Sequence, residues 1–269
     1  MTTGTKRRGE TALITGASAG IGRELAGIFA ENGFDLIAVA RSEDKLALLA
    51  EECREAHGTR VTVLPMDLLQ PEAPQSLRRA VEERGLRVDV LVNNAGVVEM
   101  GAFREIDHAR HQALLHLNVS TLTALTHLFV GGMVDRGRGR ILNVASLAAF
   151  QPVPSLALYA ASKAFALSLS ESLSEELRGT GVTVTALCPS FTRTAMVDRV
   201  QETNEAARQI PNFLISDVEQ VAREGYAGCM DGRAVVVPGL GNRLGASAVH
   251  LYPRWLVRTV GGLLGRRAL

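Results

Sequence analysis

Residues 11–22 read TALITGASAGIG. The short apolar run 11–15 passes straight into a turn that carries Gly16, Gly20 and Gly22, and residues 20–32 have helical character. Strand, glycine turn and helix in this order open a βαβ unit. Glycines let the backbone turn tightly and approach an anion, and a helix N-terminus offers free N–H groups and a positive dipole end. The spacing is GxxxGxG rather than GxGxxG. An ordinary tight strand–helix turn could show the same residues, so the position of the turn in the chain carries the argument.

Outward from that turn, short apolar runs alternate with amphipathic stretches. Strands are expected at 11–15, 36–40, 61–64, 88–92, 140–145, 182–187 and 234–237, and helices near 20–32, 43–57, 72–85, 105–135, 157–179 and 217–230. Uninterrupted apolar strands are those covered on both faces. Their alternation with helices predicts right-handed crossovers and an α/β doubly wound parallel sheet of Rossmann type, with about seven strands. A single domain is expected over 1–269. Residues 190–215 read as a substrate lid and 240–269 as a basic C-terminal extension.

The chain has 269 residues, 29 Lys+Arg against 28 Asp+Glu, and a formal charge of +1. That balance argues against nucleic acid as a partner. The charge is unevenly placed: no acid follows Asp231, whereas six arginines do, so residues 232–269 carry +6. Only Lys6, Lys45 and Lys163 are lysines. Cys53, Cys188 and Cys229 form no CxxC and no Cys/His cluster, and His108, His111 and His116 share no helical face with carboxylates, so no metal site is expected. A reducing, cytoplasmic setting is expected. Residues 112–134 lack Asp, Glu, Lys and Arg, but Gln112, His116, Asn118 and His127 favour a buried helix or an oligomer interface over a membrane span. The ending HLYPRWLVRTVGGLLGRRAL could contact an acidic membrane surface, a reading ranked below a terminal helix on the sheet edge or on an oligomer partner.

Several side chains suit carbonyl chemistry. Tyr159 has Lys163 four residues on, hence on the same helical face. An ammonium beside a phenol favours phenolate and is expected to bring Tyr159 down toward working pH, as a general acid/base requires. Ser146 ends the strand before it, at the sheet edge where open α/β sheets bind ligands. Asn118 is a buried amide, either a core hydrogen-bonding group or part of a polar relay. Arg41 and Ser42 end the second strand, where a cation would hold the 2′-phosphate of NADP and an acid the 2′-hydroxyl of NAD. Asp35 lies at the wrong end of that strand.

Together these residues resemble the short-chain dehydrogenase/reductase family, in its single-domain branch, over residues 10–240. TGASAGIG at 15–22, Asp67, NNAG at 93–96, Asn118, Ser146, YAASK at 159–163 and Cys188-Pro189 stand in the family's order. The resemblance implies a cofactor site of Gly16, Ser18, Gly20, Ile21, Gly22, Arg41, Ser42, Asp67, Asn94, Ala95, Gly96, Tyr159, Lys163, Pro189, and Thr192 or Thr194. Asn93 would line the same strand end. It implies a catalytic set of Asn118, Ser146, Tyr159 and Lys163. Tyr159 would exchange the proton, Lys163 would tune it and bind the nicotinamide ribose, Ser146 would position the substrate oxygen, and Asn118 would hold a relay water. Where the family usually has Pro-Gly after the sixth strand, this chain has Pro189-Ser190.

The expected reaction is hydride transfer between NADP(H) and a carbonyl or secondary alcohol, with NAD(H) as the alternative cofactor. No charge lies among residues 147–162, and Phe150, Pro152, Val153, Pro154, Leu156, Leu158, Phe191, Met196, Ile210, Phe213 and Leu214 favour an apolar substrate. A homo-oligomer, dimer or tetramer, is expected. The competing readings are an NAD-linked alcohol dehydrogenase working oxidatively and a non-catalytic dinucleotide sensor on the same fold.

Overall fold

The computed structural model describes residues 9–190, 192, 216–251 and 259. Seven strands are β1 (Thr11–Thr15), β2 (Asp35–Ala40), β3 (Val61–Pro65), β4 (Val90–Asn93), β5 (Gly139–Val144), β6 (Val182–Leu187) and β7 (Val235–Val236). They form one parallel sheet in the order β3-β2-β1-β4-β5-β6-β7. The chain therefore builds outward from β1 in one direction and from β4 in the other. The crevice at this reversal, outside the carboxyl ends of β1 and β4, is where such sheets bind ligands.

The helices are α1 (Gly20–Glu31), α2 (Glu43–His57), α3 (Ala73–Glu83), α4 (His108–Leu115), α5 (Leu122–Asp135), α6 (Ala157–Glu176), α7 (Val218–Met230) and α8 (Leu240–Leu251). Alternation along each strand feeds two cores. Ala12 and Ile14 of β1 pack toward α1, α2 and α7, while Leu13 packs on the opposite face with Leu77, Leu125, Phe129 and Met133. Phe29 of α1 meets the edges of Phe34 and Tyr226 at 5.0 and 4.9 Å, which locks α1 against α7.

Two elements differ from the sequence expectation. The expected helix 105–135 is interrupted by a π-helical turn, His116–Thr121, that links α4 to α5. The stretch from 240, for which only a basic C-terminal extension is expected and no helix bounds, opens as α8, which packs on a 3₁₀ turn at Leu147–Phe150. The whole segment His108–Asp135 is long and apolar enough to cross a membrane, yet Leu122, Leu125, Phe129 and Met133 are spent in the core. The three cysteines are buried and unpaired.

Candidate active site

Thr15, 1% exposed at the end of β1, organises the sheet edge. Its hydroxyl donates to the Val92 carbonyl at 3.2 Å and accepts the N–H groups of Asn94 and Ala95, both at 3.0 Å. The Asn94 amide donates back to the carbonyls of Thr15 and Gly16 at 2.9 and 3.2 Å. Residues 94–96 are thus tied to the glycine turn across the switch point. The turn is hooked to β2 by Gly16 N–H on the Val39 carbonyl, 2.8 Å. A Cβ at Gly22 would collide with the Gly16 carbonyl and the Asn94 amide, so this cradle is built for glycine.

Ala19 opens α1 without a side-chain cap, and no acid lies in its first turn. An uncapped N-terminus at the switch point leaves its donors and its dipole for an anion. The residues therefore fit a dinucleotide pyrophosphate. Ser18 and Ile21 stand half-buried in this turn.

Beyond β2, Arg41 is exposed and makes no ion pair among the described residues, and Ser42 opens α2 without using its hydroxyl as a cap. Both remain available to a phosphate. Asp35, by contrast, is bound to Arg60 at the other end of β2. Asp67 is half-buried and accepts Leu69 N–H at 3.1 Å.

The proposed acid/base group lies beside the fourth and fifth strands. Ser146 follows β5, its hydroxyl accepting Ala148 N–H at 3.1 Å and lying near enough to the Tyr159 phenol to favour its ionised form. Tyr159 and Lys163 rise from the first turns of α6. Lys163 is 6% exposed; its Nζ donates to the Val144 carbonyl at 2.8 Å and stands 5.7 Å from the Tyr159 ring centroid. A Cβ at Gly96 would meet Asn118 Oδ1 at 3.1 Å and Lys163 Nζ at 3.6 Å. Glycine there lets β4's end lie against the pair.

Asn118 sits 2% exposed in the π turn, a distortion often found at functional sites. Its amide clamps Val97, accepting from N–H and donating to C=O, each at 2.9 Å, and also donates to Ser162 Oγ at 3.2 Å. Both donors are committed to protein. A relay through Asn118 has the second Oδ1 lone pair and the backbone carbonyl to work with.

Burial decides the electrostatics. It pulls Lys163 down to about 8 and pushes Tyr159 above its ordinary value, with the Ser146 hydrogen bond drawing Tyr159 partly back. The sequence reading expected Lys163 to lower Tyr159. Desolvation is the larger influence on the half-buried Tyr159, and the ammonium is directed at Val144. Cys188 is pushed up to about 12 by burial and stays a thiol.

Other expected positions divide. Asn93 does not face the ligand crevice; it is 4% exposed and donates to Thr126 at 3.0 Å and to Asn143 at 2.9 Å. Pro189 is buried and accepts Leu147 N–H at 2.8 Å. Thr192 is buried and donates to the Ser190 carbonyl at 3.0 Å. Thr194 and the expected wall residues Phe191, Met196, Ile210, Phe213 and Leu214 lie outside the described residues, as does most of 190–215. A cavity of about 430 Å³ adjoins the start of α6; its walls are mostly apolar, with Phe103, Ile106, Pro154 and Leu158, and Glu99 and Arg104 also line it. His111 stacks on Phe103 at 4.6 Å. Sequence reasoning missed Thr15 as an organising group; the only signal was a threonine directly before the first glycine.

Known proteins resemble this chain. The family model described as short chain dehydrogenase matches residues 10–205. A very-long-chain 3-oxoacyl-CoA reductase of Pyrenophora tritici-repentis is 34% identical over 82% of this chain, which spans 65% of that protein's length. The 17-beta-hydroxysteroid dehydrogenase type 3 of Mus musculus is 33% identical over 79% of this chain and 69% of its own. A short-chain dehydrogenase from Sphingobium yanoikuyae, solved in complex with NADPH, superposes with a TM-score of 0.79 at 32% identity, covering 90% of this chain and 94% of its own.

Proposed function

This chain belongs to the short-chain dehydrogenase family of NAD(P)-dependent oxidoreductases, and we propose that it reduces ketones on an apolar body with NADPH, using Tyr159 as proton donor. The observation that carries this reading is the meeting of Ser146, Tyr159 and Lys163 at one strand end, with Lys163 buried and bonded to β5 and Tyr159 half-buried on the same helical face.

The N-terminus of α1 and the turn from Gly16 to Gly22 would hold the pyrophosphate, and Arg41 with Ser42 the 2′-phosphate. With the cofactor held by these residues, the chemistry it would supply is hydride for the carbonyl carbon. Ser146 donates to the carbonyl oxygen and orients it. Tyr159 then gives its proton to that oxygen as negative charge develops on it. The phenolate left behind is stabilised by the Lys163 ammonium on the same helical face. Burial makes Tyr159 reluctant to ionise alone, which favours donation to an oxyanion over loss of a proton to water.

Arg41 supports NADP(H) over NAD(H), since no acid stands at that position. The uncharged run 147–162, the apolar cavity walls and the names of the two relatives support an apolar substrate, 3-oxoacyl or steroid-like in character. The test is a panel of such ketones with NADPH and with NADH, run beside Tyr159→Phe. Turnover by the parent protein with NADPH, lost in the variant, is expected. Equal turnover in both proteins would refute the assigned proton donor.

A further inference from the structure

The departure at position 190 has a partner set. Ser190 Oγ lies 2.8 Å from Ser216 Oγ and accepts from Asn242 Nδ2 at 3.2 Å. Asn242 stands on the first turn of α8, and its Nδ2 also donates to the Pro238 carbonyl at 2.8 Å. Thr192 forms a parallel bridge with Ser216, and its hydroxyl returns to the Ser190 carbonyl. One hydroxyl thus joins three parts of the chain: the exit from β6, the approach to α7, and the start of α8. Glycine at 190 could make none of these side-chain bonds.

The clasp lies next to the reacting groups. Pro189, immediately before it, accepts the N–H of Leu147, which follows Ser146, and on the other side of Ser146 the N–H of Ala145 donates to the Leu187 carbonyl at 2.7 Å. On the far side α8 packs against the 3₁₀ turn that begins at Leu147. The start of α8 is itself pinned: Glu224 of α7 accepts from Arg243 at 2.8 Å, and Arg243 also donates to the Val237 carbonyl at 2.9 Å. Ser190 is therefore braced from a rigid side toward the strand end that carries Ser146.

We propose that Ser190 is a positioning residue, whose clasp with Ser216 and Asn242 fixes the 188–190 backbone against Ser146 and so sets how tightly the nicotinamide end of the cofactor is seated. This rests on the NADP(H) reading above. Because the clasp touches neither Tyr159 nor Lys163, its loss should act on binding more than on the chemical step.

The test uses the full chain with Ser190→Ala, Ser190→Thr, Asn242→Ala and the Ser190/Asn242 double alanine variant. Three quantities are read: the dissociation constant for NADPH by fluorescence quenching, KM and kcat for the best ketone, and amide hydrogen exchange at Leu147, Cys188 and Ser190–Thr192. Ser190→Ala is expected to weaken NADPH binding about tenfold, with kcat within about twofold of the parent. Faster exchange at those amides is expected alongside, and Ser190→Thr should restore both. The double variant should cost less than the sum of the single ones, since both remove one contact. Unchanged NADPH affinity and exchange in Ser190→Ala would overturn the proposal, as would strictly additive effects. If Ser190→Ala fails to fold, Asn242→Ala carries the same comparison. If the parent protein binds no NADPH, the functional reading fails, while exchange still reports whether the clasp holds 188–190.

Discussion

Lys163 is bonded to Val144: the ammonium of the second turn of α6 is held at 2.8 Å by the carbonyl two residues before Ser146. The cation therefore takes its position from β5, the strand that delivers Ser146. Helix and strand cannot shift relative to one another without breaking this contact, so the spacing of Ser146, Tyr159 and Lys163 is fixed by backbone rather than by side-chain packing alone.

Tyr159→Phe should fold and bind NADPH within about threefold of the parent, while kcat falls by 10²–10⁴, roughly the share that a positioned proton donor contributes. Steady-state kinetics beside circular dichroism checks it. A loss confined to KM would contradict the assigned role.

Burial brings Lys163 to about 8, so its charge is lost as pH rises through that value. Reduction needs the cation beside the phenolate, so kcat/KM for ketone reduction should be flat below this pH and decline above it. Lys163→Arg keeps the charge at any working pH and should remove that limb, whatever it does to the absolute rate. A pH–rate profile of both proteins, with NADPH near saturation, decides the point.

Arg41→Ala should raise the dissociation constant for NADPH by tenfold or more, about the loss of one charge-assisted pair, and leave NADH within about twofold. Fluorescence titration with the two cofactors reads the difference. Equal weakening of both would assign Arg41 a structural part in the β2–α2 turn instead.

Thr15→Val replaces a hydroxyl that makes one hydrogen bond and receives two by a methyl group of nearly the same size. Two buried N–H groups are left to find other partners, and the expected cost is about 1–3 kcal/mol of stability. Cofactor affinity should fall with it, because residues 94–96 lose their tie to the glycine turn. Thr15→Ser should recover most of both, as read by denaturant unfolding and NADPH titration.

Most of the sheet was legible because parallel strands buried on both faces leave unbroken apolar runs, and Leu36–Ala40 or Val182–Leu187 admit few other readings. The motif order placed Tyr159, Lys163 and Ser146 together without coordinates. What stayed hidden depends on registers between distant segments. Thr15 matters because β1 lies beside β4, which brings residue 15 to residues 92–95. The π turn at Asn118 leaves no periodic trace, since one extra residue per turn over six residues is lost in the helical pattern. α8 was obscured by Gly241, Gly245 and Asn242, poor helix formers in isolation, and Asn242 turns out to serve Ser190. The direction of the Tyr159 shift was missed because sequence spacing shows that a charge is near but not how deeply both groups are enclosed.

Using arginine at nearly every cationic position has a spectroscopic corollary. A protein grown with ¹⁵N-lysine would carry only three labelled ammonium groups, and of these Lys45 is exposed whereas Lys163 is enclosed. Exposed ammonium protons exchange with water too fast to observe well, so a slowly exchanging signal that disappears in Lys163→Arg would belong to Lys163. The composition thus gives the site a built-in reporter, through which cofactor arrival and proton loss could be followed at one nitrogen without a substitution or an external dye.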